Sequence, residues 1–84
     1  MKKDTRERGG LLWTRLTSLR GREARVVASS VRDPERFFVD GEQRSGGRVV
    51  FQLWHEDALS GRSSRGLTAE VDERTRAVRL VAWA

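Results

Sequence analysis

The sequence contains no cysteine, and it also lacks isoleucine, asparagine and tyrosine. Without a thiol, the chain has no disulfide, no cysteine nucleophile and no zinc–thiolate site. It contains one histidine, so a metal centre with two imidazole ligands would need a second subunit. The first ten residues have no apolar signal core, and no run approaches the roughly 20 apolar residues of a membrane span. We therefore expect a soluble, cytoplasmic protein with no metal, no cofactor and no membrane partner.

Lysine is also scarce, because 15 of the 17 basic residues are arginine. The net charge of +5 and the pI of about 11.2 predict a basic surface, which attracts polyanions such as nucleic acids. The missing isoleucine, asparagine and tyrosine all have AT-rich codons, so GC-rich coding is a second explanation of the arginine excess. Both explanations stay open at the level of the sequence.

The length of 84 residues corresponds to one domain. A chain of this size buries only about 60% of its unfolded surface, so its stability is marginal and a homodimer is a candidate state. Residues 1–10 mix charges of both signs and end in two glycines, which predicts a flexible basic arm. Residues 11–84 form the single small β domain.

The stretch 67–83 has the clearest pattern in the chain. Residues 67–72 alternate apolar and polar, and a second apolar run over 76–83 follows a polar break, which is typical of a β-hairpin. A four-residue loop over 72–75 would set Ala69 opposite Val78. The predicted inner face of this hairpin consists of Leu67, Ala69, Val71, Val78 and Leu80.

The stretch 37–54 predicts a second hairpin. A three-residue loop over 45–47, with glycine in the left-handed conformation, would set Val39 opposite Leu53. Asp40-Gly41 competes as a turn, but no apolar residues follow it closely enough to pair, so we expect a bulge there. The polar face of this hairpin, with two aromatic residues at its open end, comprises Asp40, Glu42, Arg44, Arg48, Gln52, Phe38 and Trp54.

The N-terminal half of the domain is more ambiguous. Residues 11–20 have leucines at helical spacing, but Trp13 and the threonines favour a strand, and we prefer the strand. Residues 24–31 are small or apolar on both faces, which predicts an interior strand. Asp33 and Pro34 predict a helical turn.

The region between the two hairpins predicts a short helix followed by a loop. One or two helical turns over 55–60 would be closed by Gly61, and residues 61–66 would form an exposed loop.

Together these elements predict an all-β fold with five to six short antiparallel strands, arranged as a meander or a small half-open barrel. The alternative is an α+β fold, in which a helix over 11–20 packs on a sheet of four to five strands.

No constellation of residues predicts an enzyme. His55 is followed by Glu56 and Asp57, but adjacent side chains point in different directions, so a surface or capping role is the simpler interpretation. Nearby serines lack a nucleophile elbow. We predict no catalytic residues and no metal ligands.

Two binding functions remain. The first is a non-catalytic module that contacts nucleic acid or a nucleoprotein through arginines, together with one ring for base stacking. Its predicted contacts are Arg20, Arg22, Arg44, Arg48, Arg62, Arg65 and Trp54. The second is a protein-interaction module, such as an adaptor or inhibitor of a larger complex, that docks through an edge strand and an apolar patch of Val81 and Trp83.

Overall fold

The computed structural model describes residues 5–8 and 10–83 of the chain. Six strands form one antiparallel sheet in chain order, from β1 to β6. The predicted meander is therefore confirmed, although it also carries helices. The strands are β1 (Thr5–Arg8), β2 (Leu11–Arg15), β3 (Phe37–Ser45), β4 (Arg48–His55), β5 (Gly66–Asp72) and β6 (Val78–Ala82). The helices are α1 (Arg22–Ser30) and the single-turn α2 (Glu56–Leu59), with 3₁₀ turns at Leu16–Ser18 and Pro34–Arg36.

The prediction of a strand over residues 24–31 is wrong, because this segment lies mostly in α1. Ala24 and Val27 are three residues apart and both are buried, which is the spacing of one helix face. The hydroxyls of Ser29 and Ser30 donate to the carbonyls four residues earlier, at 3.0 and 2.8 Å, a local bond that serines form within a helix. Small or apolar residues on both faces predicted a strand, but this pattern is also compatible with a helix, and packing of the helix on the sheet decides between them.

Residues 11–20 begin as the predicted strand and continue differently. β2 ends at Arg15, and the chain then makes the 3₁₀ turn that buries Leu16. The alternative helix over 11–20 is not formed.

The predicted arm of residues 1–10 falls partly outside the described residues, which exclude 1–4 and 9. Residues 5–8 are strand β1, which pairs with β2 so that Arg8 lies opposite Leu11. Gly10 has φ of 83°, a left-handed conformation that suits a tight hairpin turn. This part of the arm is therefore the first strand of the sheet.

The middle hairpin confirms the predicted pairing of Val39 with Leu53 and the predicted bulge at Asp40. The predicted three-residue loop is wrong. Ser45 pairs with Arg48, so the loop contains only Gly46 and Gly47, which have φ of 56° and 78°. Two consecutive left-handed residues are what a two-residue hairpin turn of type I′ requires.

This shorter loop moves two charged residues to the other face of the sheet. Glu42 lies opposite Phe51 and Arg44 lies opposite Val49, whereas Phe38 lies opposite Trp54. The bulge shifts the alternation by one residue, so Arg44 and Trp54 are on opposite faces. The predicted polar face is therefore divided between the two faces of the sheet.

The C-terminal hairpin is shifted by two residues from the predicted register, because Ala69 lies opposite Leu80. The loop is longer than predicted: the Asp72 carboxylate accepts hydrogen bonds from the backbone N–H groups of Arg74 and Thr75 at 2.8 and 3.0 Å. Arg76 then adopts φ of 62°. An even shift keeps every side chain on its predicted face, but Leu80 is 40% exposed and is not part of the core.

The core lies between α1 and one face of the sheet. Leu16 and the buried face of α1 pack on residues of β3, β4 and β5. The members of this core cluster are Leu16, Ala24, Val27, Val31, Phe37, Val39, Val49, Phe51, Leu53, Ala69 and Val71. The other face of the sheet carries a separate set of side chains, which includes four aromatic residues.

Candidate nucleic-acid interface

The face of the sheet opposite α1 collects large side chains from four strands and from the residue that follows β6. Directly opposed residues share a face, so the pairing of Arg15 with Phe38, and of Phe38 with Trp54, places these three together. Trp13 is two residues from Arg15 in β2, and Arg6 of β1 lies opposite Trp13. We call this surface the aromatic face and define it by Arg6, Trp13, Arg15, Phe38, Trp54 and Trp83.

The three tryptophans form a contiguous array with Trp54 in the middle. The Trp13 and Trp54 rings are parallel within 3°, with centroids 5.7 Å apart. The Trp83 ring meets Trp54 edge to face at 81° and 4.6 Å. Both arrangements are favoured by the quadrupoles of aromatic rings.

Hydrogen bonds hold two of these indoles in place. The Trp54 indole N–H donates to the carboxylate of Asp40, the bulge residue of β3. The Trp83 indole N–H donates to the Thr68 hydroxyl at 2.8 Å. The rings are thus positioned by directional contacts as well as by packing.

Two arginines cover the remaining aromatic ring. The guanidinium carbon of Arg15 lies 4.9 Å from the centroid of Phe38, and that of Arg6 lies 5.6 Å away. Arg15 also donates to the backbone carbonyl of Glu35. Phe38 is fully buried as a result, and Trp13 is 7% exposed, whereas Trp54 and Trp83 are only half-buried. The accessible ring surface of this face therefore belongs to Trp54 and Trp83.

Gly66 allows the Trp83 ring to lie across strand β5. The Trp83 backbone N–H donates to the Gly66 carbonyl at 2.9 Å. A Cβ on Gly66 would lie 2.7 Å from ring atom Cζ3 of Trp83 and 2.8 Å from the Leu53 carbonyl oxygen. Trp83, which the sequence predicts as part of an apolar docking patch with Val81, is a half-buried ring that contacts Trp54.

The predicted contact residues are distributed over both sides of the molecule. Arg48 shares the face of Trp54 at the other end of β4. Arg20 and Arg22 are exposed where α1 begins, on the opposite side of the sheet from Trp54. Arg62 and Arg65 are exposed in the loop between α2 and β5, and the Arg65 guanidinium lies 5.9 Å from the ring centroid of Phe37 in the core.

Arg44 lies on the α1 side and is surrounded by carboxylates. Its guanidinium is 3.2 Å from Glu23, 3.3 Å from Glu42 and 3.7 Å from Glu73. The hydrogen bond that Arg44 donates to the Glu23 carboxylate raises the pKa of Arg44. A backbone hydrogen bond and the Arg44 guanidinium together hold the pKa of Glu23 below its ordinary value. Arg44 thus links α1 to the middle hairpin through its ion pair with Glu23.

His55 is buried and caps α2. Its Nδ1 accepts a hydrogen bond from the Asp57 backbone N–H at 3.1 Å, and its ring meets Phe37 edge to face at 5.3 Å. The predicted capping role is confirmed, although the residue is in the interior and not at the surface. Within residues 5–8 and 10–83, no three histidine, aspartate or glutamate side chains are grouped closely enough to hold a metal ion.

Sequence reasoning missed Arg6, Trp13 and Arg15 as members of this face. Trp13 and Arg15 are separated by one residue, and that alternation could have placed them together once residues 11–15 were assigned to a strand. Arg6 could not have been found, because its strand was assigned to the arm.

Comparisons with protein-family models, curated proteins and solved structures find no significant match to this chain. Helices in the described part of the chain are all too short to cross a membrane. The functional argument therefore rests on the aromatic face itself.

Proposed function

We propose that the chain is a non-catalytic module that binds single-stranded nucleic acid, or a nucleoprotein that presents it, across the aromatic face. The observation that carries this proposal is the pair of half-exposed rings, Trp54 and Trp83, on the same face of the sheet as Arg6 and Arg15, whose guanidinium groups lie over Phe38. Every base has a π face, so exposed aromatic rings stack with bases of any sequence, and neighbouring arginines contact the phosphates.

The charges on this face support phosphate binding. Arg6 and Arg15 lie at one side of the rings, and Arg48 is exposed at the far end of β4. Of the acidic groups, Asp40 accepts the Trp54 indole N–H, and Glu70 is 3.8 Å from Arg79. Asp72 lies directly opposite Arg48 on this face, and its carboxylate accepts the backbone N–H groups of Arg74 and Thr75. These three acidic side chains are thus engaged by other donors, and Arg48 has no carboxylate within ion-pair distance among the described residues.

The direct test is a titration of intrinsic tryptophan fluorescence with single-stranded DNA, single-stranded RNA and duplex DNA at two salt concentrations. Stacking on Trp54 and Trp83 should quench the emission. Each phosphate neutralised on a single strand contributes about −0.7 to the slope of log K against log salt, so three contacts give roughly −2. The single strands should bind more tightly than the duplex, whose bases are already stacked.

A matched pair of charge variants locates the site. Arg48→Gln should weaken binding and reduce the salt slope by about 0.7, the value for one phosphate. Arg25→Gln removes the same charge from the exposed surface of α1 and should leave the slope unchanged. Trp83→Phe keeps an aromatic ring over Gly66 and should reduce the quenching without unfolding the protein.

No quenching by any strand at low salt would refute the proposal and would leave codon composition as the explanation of the arginine excess. Equal effects of Arg48→Gln and Arg25→Gln would mean that binding is a diffuse attraction to the basic surface. If Arg20→Gln or Arg62→Gln lost binding and Arg48→Gln did not, the binding site would lie away from the aromatic face.

A second candidate function is the protein-interaction module, acting as an adaptor or inhibitor. It is favoured by β6, an edge strand on which Leu80 is 40% and Val81 is 43% exposed. Docking there would depend weakly on salt and would be lost on Val81→Glu. Trp83, originally included in this patch, already contacts Trp54 and Thr68, so it is less available to a protein partner.

A further inference from the structure

The two edges of the sheet differ in how well they are protected against pairing with another chain. β1 has the sequence Thr-Arg-Glu-Arg, and such charged edge strands disfavour strand addition. β6 runs from Val78 to Ala82 with Arg79 as its only charge, and it contains no proline or bulge. Of the two edges, β6 is therefore the one suited to accept another strand.

The backbone hydrogen bonds show which residues of β6 are available. The Trp83 N–H donates to Gly66 at 2.9 Å, and the Ala77 carbonyl accepts from Asp72 at 3.0 Å, so these residues face β5. Hydrogen-bonded and non-hydrogen-bonded pairs alternate in an antiparallel ladder, so Arg79 and Val81 also face β5. The N–H and C=O groups of Val78, Leu80 and Ala82 consequently point outward, along an edge where the described chain places no further strand.

We infer that β6 pairs with β6 of a second copy of this chain, antiparallel about a twofold axis at Leu80. In this register Leu80 lies opposite Leu80 of the partner subunit, and Val78 lies opposite Ala82 of the partner subunit. All three outward-facing residues then form hydrogen-bonded pairs with one another. The pairing joins two meanders into one continuous sheet and does not depend on the proposed nucleic-acid binding.

Neighbouring registers are less favourable. A twofold axis at Arg79 would place two arginines directly opposite each other, which is destabilising. An axis at Val81 would place Val78 opposite a position beyond the end of β6 at Ala82, so fewer residues of the two strands would pair. The Leu80 register avoids both costs and sets Arg79 opposite Val81 of the partner subunit, where the arginine stem packs on the valine.

The side chains on this strand support the same conclusion. Leu80 and Val81 are the two large apolar residues of β6 that remain substantially exposed, at 40% and 43%, and they lie on opposite faces. Pairing covers both of them. An interface of five residues per strand buries less area than the standard protein–protein interface, so we expect association that depends on protein concentration.

Cysteine cross-linking tests the register directly, because the natural chain contains no cysteine. In Leu80→Cys the two thiols would belong to a hydrogen-bonded pair with Cα atoms about 5.5 Å apart, within the range of a disulfide. In Arg79→Cys and Val81→Cys the symmetric Cα atoms would be offset by two residues, roughly 8 Å apart, which is too far. We expect Leu80→Cys to oxidise to a covalent dimer much faster than either control.

Sedimentation of the wild-type chain over a range of concentrations supplies the independent measurement, in the absence of nucleic acid. Leu80→Lys should shift the chain to monomer with an unchanged circular dichroism spectrum, because its side chain is already partly exposed and lysine disfavours edge pairing. The inference would be overturned by a wild-type monomer at all concentrations, by equal cross-linking of the three cysteine variants, or by undiminished association of Leu80→Lys. Fastest cross-linking of Val81→Cys would also overturn it, since that requires a different axis.

Discussion

Replacing Gly66 by alanine should destabilise the protein through the ring that lies over this residue. The new Cβ would be 2.8 Å from the Leu53 carbonyl oxygen and would overlap the Trp83 ring, whose Cζ3 is 2.7 Å away. Leu53 is held by the β4–β5 ladder, where it lies opposite Leu67. The backbone cannot easily move, so the Trp83 ring must be displaced.

The size of the effect follows from the contacts that this displacement removes. Overpacking a closely packed site costs about 1–3 kcal/mol. The edge-to-face contact between Trp83 and Trp54 is worth about 0.5–1.5 kcal/mol, and the hydrogen bond to Thr68 about the same. Alanine also lowers the conformational entropy of the unfolded chain, which stabilises the folded state by about 0.4–1 kcal/mol and offsets part of this loss. The expected loss is about 2–4 kcal/mol, equivalent to a fall in Tm of roughly 10–25 °C for a domain of this size.

Urea and thermal unfolding, followed by both circular dichroism and tryptophan fluorescence, measure this loss. Gly41→Ala is the matched control, because it is a strand glycine whose Cβ would meet nothing closer than 3.6 Å, at the Gln52 side chain. The control should change stability by less than about 1 kcal/mol. A double-mutant cycle with Trp83→Ala should show a non-zero interaction free energy, because Gly66→Ala lowers the free energy of unfolding by less once the Trp83 ring is absent. Equal stabilities of Gly66→Ala and Gly41→Ala would refute the reasoning.

Three further predictions concern the core, the middle turn and the pH dependence of stability. Leu16→Ala should cost about 2–5 kcal/mol of unfolding free energy by urea titration, because Leu16 is 1% exposed, whereas Leu12→Ala, at 68% exposed, should cost little. Gly47→Ala should lower Tm because its φ of 78° strains any residue with a Cβ, although no atom lies within 4 Å of the position. Backbone hydrogen bonds from Thr75 and Arg74 hold the pKa of Asp72 below its ordinary value of 3.8. A depressed folded pKa contributes stability that is present above pH 3.8 and is lost as the pH falls through the folded value. Tm should therefore fall as the pH is lowered below about 3.8, and Asp72→Asn should flatten that fall. An unchanged pH profile in Asp72→Asn would contradict this assignment.

The aromatic face forms a second packed layer on the side of the sheet away from α1. Trp13 and Phe38 are buried on a face of the sheet that no helix covers, because arginine stems and neighbouring rings cover them. The same arrangement leaves Trp54 and Trp83 partly accessible. One set of side chains can therefore contribute to stability and offer a stacking surface.

The sequence by itself determined the antiparallel strands of the two hairpins and the faces of the C-terminal one. Alternation has a period of two, so Ala69, Val71 and Val78 face α1 in the predicted register and equally in the observed register, which differs by two residues. The bulge at Asp40 was also predictable, because the residues after Gly41 offer no apolar partner for a turn there.

Only the tertiary structure decided the helix at 22–30, since valines and small residues are compatible with either element and the choice depends on packing against β4 and β5. It also decided the aromatic face. Trp13 and Trp54 are 41 positions apart in the chain, and Trp54 and Trp83 are 29 apart. Their contact requires the observed register of five strands, including a one-residue shift at a bulge. Local patterns carry no information about such long-range registers, which are set by the total packing of the sheet.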